Sequence, residues 1–144
     1  MRSTAVVAYV AGAVLIAAGC NKGTPLTITG QQDITIAISC TDEQFSFVVN
    51  PYVRDLLLGE EVNWKFVSQE ADFIDIKKKG SGWPYDKRLP YHVKKNESFK
   101  SGAMNSNAQP DDRYRYTITG TCKPAGKPAR AFELDPEMII IKTR

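Results

Sequence analysis

What most constrains this chain is a repeated alternation of apolar and polar residues in short runs, each broken by glycine, proline or asparagine. Ile34, Ile36 and Ile38 alternate with Thr35, Ala37 and Ser39. A period of two with β-branched residues describes a strand with one buried face. Residues 45–49 alternate again, and Asn50-Pro51 breaks them. Residues 52–58 are extended or briefly helical, and Gly59-Glu60-Glu61 is a turn. Val62, Trp64 and Phe66 then share a face. Phe73, Ile74 and Ile76 mark a strand that ends in Lys77-Lys78-Lys79. Residues 98–104 suit a short strand and 105–112 a polar turn. Tyr114, Tyr116 and Ile118 lie on one face of 113–119, 123–128 is a loop, and 137–142 is the last strand. No stretch offers a helical face of ten or more residues. The pattern predicts an all-β domain of seven to eight short strands, a sandwich or small barrel.

The chain has 144 residues, the size of one domain. Its apolar content of 42% and charged content of 24% are those of an ordinary globular chain. A formal charge of +3 falls far short of the concentrated basic face that nucleic acid requires. Two local runs stand out, Lys77-Lys78-Lys79 and Lys94-Lys95. They are solvated strand ends, or a patch for an anionic envelope surface.

The first residues have the layout of a secretory signal. Arg2 supplies the charge, residues 4–18 are uncharged and apolar, and Ala17-Ala18-Gly19 are small. The apolar run is shorter than the ~20 residues of a membrane span. Cys20 follows, and Ala18-Gly19-Cys20 resembles the end of the bacterial lipoprotein signal, with Ala17 where leucine is usual. The resemblance implies that Cys20 receives the lipid. With Asn21 after it, the outer membrane is the expected destination in a Gram-negative cell. Simple cleavage at the same small residues is the alternative. We therefore expect a signal peptide at 1–19, a tether at 20–30 and one domain at 31–144, in a lipid-anchored envelope protein.

Cysteine arithmetic agrees with lipidation. Three cysteines leave one over in an exported chain. With Cys20 acylated, Cys40 and Cys122 form a pair that an oxidising envelope would join. That bridge is worth up to about 4 kcal/mol in the chain-entropy model. Metal ligation by the two cysteines is the competing idea, but no Cys-x-x-Cys spacing or nearby histidine supports it.

Several motifs between residues 45 and 142 resemble the cupredoxin-like Greek-key β-sandwich. These are Asn50-Pro51, the Gly59 turn leading into Val62-x-Trp64, Tyr114-x-Tyr116, and Asp135-Pro136-Glu137-Met138-Ile139-Ile140. The family's copper site needs two histidines and a cysteine. Here the segment after Trp64 offers no histidine, the family's cysteine position falls near Ile118, and His92 is the sole histidine. The resemblance implies the fold without blue-copper chemistry. We expect no metal and no other cofactor.

Other chemistry finds little footing. Nucleophilic catalysis needs a base and an orienting group, and no Gly-x-Ser-x-Gly elbow is present. Glu60-Glu61 and Asp111-Asp112 are adjacent, so their side chains diverge in extended backbone and do not form a catalytic pair. What remains is the segment 80–92, where Gly80, Gly82, Pro84 and Pro90 exclude a regular element. Trp83, Tyr85, Lys87, Arg88, Tyr91 and His92 are its candidate binding residues, of the types that anchor interfaces. Alternatively, Trp83 folds back and plugs the end of the core. The expectation is a non-catalytic binding or structural module with an envelope protein or glycan as partner. The alternatives are a small-ligand or metal-delivery protein on the same fold, and an enzyme of unrecognised type.

Overall fold

A computed structural model describes residues 23–41 and 43–144. The signal segment 1–19 and Cys20 lie outside the described residues. The domain is an all-β sandwich of ten strands. In chain order these are β1 Gly30–Cys40, β2 Phe45–Asn50, β3 Val53–Leu56, β4 Glu60–Ser68 and β5 Ala71–Lys79, then β6 Tyr91–Lys94, β7 Ser98–Lys100, β8 Arg113–Cys122, β9 Arg130–Leu134 and β10 Glu137–Ile140. One sheet has the order β2-β1-β4-β7. The other has the order β3-β10-β8-β5-β6, with β9 also paired to β8. Both are mixed, because β1 runs parallel to β4 and β3 parallel to β10.

The core follows from the alternation. Register places Ile34 beside Trp64 and Ile36 beside Phe66 in the first sheet, and Ile76 beside Ile118 in the second. All six side chains are fully buried. Trp64 meets Tyr116 edge-on across the two sheets, with ring centroids 5.9 Å apart. Each of these large rings removes enough apolar surface from water to contribute about 2–3 kcal/mol. Cys40 and Cys122 form a disulfide at one pole of the sandwich, with Cα atoms 6.2 Å apart.

The count of seven to eight strands is corrected to ten, since three short strands carry too little pattern to be read. Val53–Leu56 buries only Leu56, and Arg130–Leu134 buries only Phe132. Tyr91–Lys94 is four residues long and begins directly after Pro90. Tyr91 and His92 therefore belong to a strand rather than to the preceding loop.

The expected tether at 20–30 is also corrected for its described part. Gly30 already pairs with Glu60 in β1. Leu26 N–H donates to Met104 O (2.7 Å), Ser106 N–H to Thr24 O (2.9 Å) and Thr29 N–H to Gly59 O (3.0 Å). From Gly23 onward the segment is part of the folded unit. Its backbone polar groups need partners once they lie on the domain, and residues 104–106 and Gly59 supply them.

Candidate functional site

The pole opposite the disulfide is closed by three chain segments lying side by side. Residues 104–105 form the middle one. Pro25 bridges Asn105 on one side and Tyr85 bridges Met104 on the other. Asn105 N–H donates to Pro84 O (2.7 Å), and the Asn105 side-chain amide donates to Trp83 O (3.4 Å). The connection between β5 and β6 is thus held as a rigid cap.

Its aromatic residues point inward. Tyr85 is 4% exposed and Tyr91 2% exposed, while Trp83 is half-buried against Trp64, Tyr91 and Tyr116. The indole Nε1–H of Trp83 donates to Tyr91 Oη (3.0 Å), and the Tyr91 hydroxyl donates to Lys87 O (2.9 Å). The Tyr85 hydroxyl donates to Glu60 O (3.1 Å). Burial pushes the Tyr91 phenol up to about 12, although the bond from Trp83 works the other way. Burial also raises Tyr85 well above its ordinary range. Both phenols therefore act as neutral hydrogen-bonding groups that finish the core. Of the two roles open for this segment, the plug describes Tyr85, Tyr91 and the inner face of Trp83.

The outer side of the cap is different. An open groove of about 610 Å³ is lined by Lys77 and Lys78 from the end of β5, and by Trp83, Tyr85, Asp86, Lys87, Arg88, Leu89 and Pro90. Its floor is mainly apolar and its rim cationic. Lys87 is committed locally, with its ammonium 2.7 Å from Lys100 O and 4.9 Å from the Phe99 ring centroid. Lys77, Lys78 and Arg88 are exposed, and none has an ion-pair partner among the described residues. The neighbouring Lys79 is paired with Asp135.

The structure thus brings Trp83, Tyr85, Lys87 and Arg88 to one groove and leaves His92 out. His92 faces outward from β6, bonded to Asp75 (2.9 Å) with its ring 4.5 Å from that of Phe73. Tyr91 lines the core behind the groove. The sequence reading missed that Lys77 and Lys78 belong to the same site. Lys79 and a Gly-Ser-Gly turn separate them from Trp83, and only the return of the chain over the end of β5 joins them.

A second polar constellation lies at the same pole. Glu60, although buried, accepts from Arg144 at 2.7 and 2.5 Å, from Leu57 N–H at 2.8 Å and from Gln32 Nε2 at 3.0 Å. Glu61 turns to Lys100 instead (3.1 Å), so the two adjacent carboxylates diverge as expected. Further along, Arg54 joins Gln32 to the Asp33 carbonyl, and the Asp33 carboxylate holds Lys65, Asn63 and Gln31. Hydrogen bonds from Lys65 and Asn63 bring Asp33 down to about 2. Glu60 and Asp33 are thus surrounded by donors that favour the ionised form, an arrangement that holds strands together.

No protein-family model matches the sequence. No curated protein matches it either. Among solved structures, the N-terminal domain of phage TP901-1 ORF48 shares 12% identity over 78% of this chain and 99% of that chain, with a TM-score of 0.36. A likeness of that degree carries no argument about function.

Proposed function

We propose that this chain is an exported envelope protein, anchored by a lipid on Cys20, whose sandwich is a non-catalytic binding module working through the groove beside Trp83. The observation that carries this reading is the groove itself: an apolar floor, a rigid cap, and three unpaired cations on its rim. A rigid site costs little to order when a ligand binds. The Cys40–Cys122 disulfide supports an oxidising compartment. Once it forms, Cys20 is the odd cysteine that lipidation accounts for. The cupredoxin-like reading belongs to the same proposal. Its Val62-x-Trp64 and Tyr114-x-Tyr116 motifs fall in β4 and β8, where Trp64 and Tyr116 meet in the core.

The test is the N-terminus of the mature protein. Mass spectrometry of the membrane-extracted full chain should find an acylated Cys20 as its first residue, and Cys20→Ser should move the protein to the soluble fraction. A mature N-terminus without acyl chains, or membrane retention of the substituted protein, would remove the anchor from the reading.

A further inference from the structure

We propose that the groove receives the phosphate headgroup of an anionic phospholipid in the membrane that holds the Cys20 anchor. This rests on the lipid-anchored reading and adds the orientation of the domain and the class of its ligand.

A Cβ on Gly23 would lie 2.8 Å from Ser106 Oγ and 3.0 Å from Asn107 N, so the backbone is pressed against residues 106–107. Gly23 is therefore held at a fixed point on the domain's surface. Two residues separate Gly23 from Cys20, so the three Cα–Cα steps reach at most about 10 Å when fully extended. The groove lies close by. Residues 24–26, 104–106 and 84–86 run side by side, and neighbouring strands are spaced by about 4.8 Å. The backbone of the groove's wall is thus about 10 Å from the first segment. A lipid on Cys20 brings this pole, and not the disulfide pole, to the membrane surface.

The chemistry of the groove suits that surface. Lys77, Lys78 and Arg88 are without ion-pair partners among the described residues, against one carboxylate in the lining, Asp86. A guanidinium and two ammonium groups can share the oxygens of a phosphodiester. Trp83, half-buried, with Leu89 and Pro90, supplies the apolar flank that indole-bearing surfaces place at headgroup level. Each free cation near an anionic bilayer strengthens partitioning about fivefold, so three together give roughly 100-fold.

Residues 23–144 suffice for the test, because every buried core residue among those described lies between Ile34 and Ile140 and the disulfide lies within that span. This fragment lacks Cys20, so its result is independent of acylation. It should float with phosphatidylcholine vesicles containing phosphatidylglycerol and not with phosphatidylcholine alone. The triple variant Lys77→Ala, Lys78→Ala, Arg88→Ala should partition roughly 100-fold less. Lys123→Ala with Lys127→Ala, in the loop at the disulfide pole, should change little. Near-ultraviolet circular dichroism confirms that each variant is folded. Equal binding to both vesicle types, or equal losses from the two sets of substitutions, overturns the proposal. An acylated Cys20 in the full chain together with no binding by residues 23–144 would sink the groove and leave the anchor standing. Binding to anionic vesicles without acylation of Cys20 would remove the anchor and with it the orientation proposed here.

Discussion

Arg144 folds back across the end of the sandwich and grips the buried carboxylate of Glu60 with both terminal guanidinium nitrogens, Nη1 and Nη2, at 2.7 and 2.5 Å. Burial alone would raise the Glu60 carboxyl. The bonds from Arg144, Leu57 N–H and Gln32 outweigh it and hold the group below its ordinary value of 4.5. A depressed folded pKa contributes stability above the unfolded pKa, and that contribution is lost as pH falls through the folded pKa. Arg144→Ala should therefore cost about 1–2 kcal/mol near pH 7, less than a fully buried pair because the guanidinium is partly exposed. The gap between variant and wild type should narrow at a second, acidic pH, where protonation removes the Glu60 charge. Thermal melts at the two pH values decide it, and a gap that does not depend on pH would rule out the ion pair as its source.

The disulfide spans a sequence separation of 82 and ties the end of β1 to the end of β8. Replacing both cysteines by serine should lower stability by up to about 4 kcal/mol, mostly by releasing the unfolded chain. Urea unfolding of the oxidised wild type and the double variant measures the difference. Adding reductant should bring wild type to the variant's midpoint, and a midpoint insensitive to reductant would show that the bridge adds nothing to stability.

Much of this fold was legible because strand pairing leaves a local mark. The alternation of Ile34, Ile36 and Ile38 names both the strand and its buried face, and Val62, Trp64 and Phe66 do the same for its neighbour. Legibility failed where the cause is not local. Arg130–Leu134 is a strand because β8 offers it an edge, and its sequence buries only Phe132. Glu60 and Arg144 are 84 positions apart, and nothing near either announces the other. The candidate site divides in the same way. Residue type singled out Trp83, Lys87 and Arg88. Whether the aromatics faced water or the core depended on Met104 and Asn105, which hold the cap closed.

The chain of bonds from Trp83 to Tyr91 to Lys87 is what holds the cap on the core. Tyr91→Phe leaves the indole N–H without its acceptor and the Lys87 carbonyl without its donor, at a cost of about 1–3 kcal/mol. The phenols give a second readout. Burial raises Tyr85, Tyr91, Tyr114 and Tyr116 above the ordinary tyrosine value of 10, Tyr91 to about 12. A raised folded pKa contributes stability below the unfolded pKa and loses it as pH rises through the folded one. At about pH 11, below the pKa of a phenol buried like these, the native chain should show less phenolate absorbance than the urea-unfolded chain. Stability should fall over the same range. Matching absorbance in the two states would mean that the rings are open to water.

Gly59 turns the chain from residues 57–58 into β4 with φ of +88°. A Cβ there would lie 2.9 Å from the Thr27 carbonyl oxygen and 3.0 Å from Thr29 Oγ1. The first contact is with backbone, in the segment that donates Thr29 N–H to Gly59 O. It cannot be relieved by rotating a side chain. Gly59→Ala should therefore destabilise by about 1–3 kcal/mol, combining left-handed strain with displacement of residues 27–29. Because that segment leads back to Gly23, the damage should spread toward the N-terminal side of the cap. Amide hydrogen exchange should show Leu26 and Thr29 losing protection in the variant before Ile36 or Ile118 does. Uniform loss across all four would mean that the strain is felt by the whole sandwich rather than by its first docked segment.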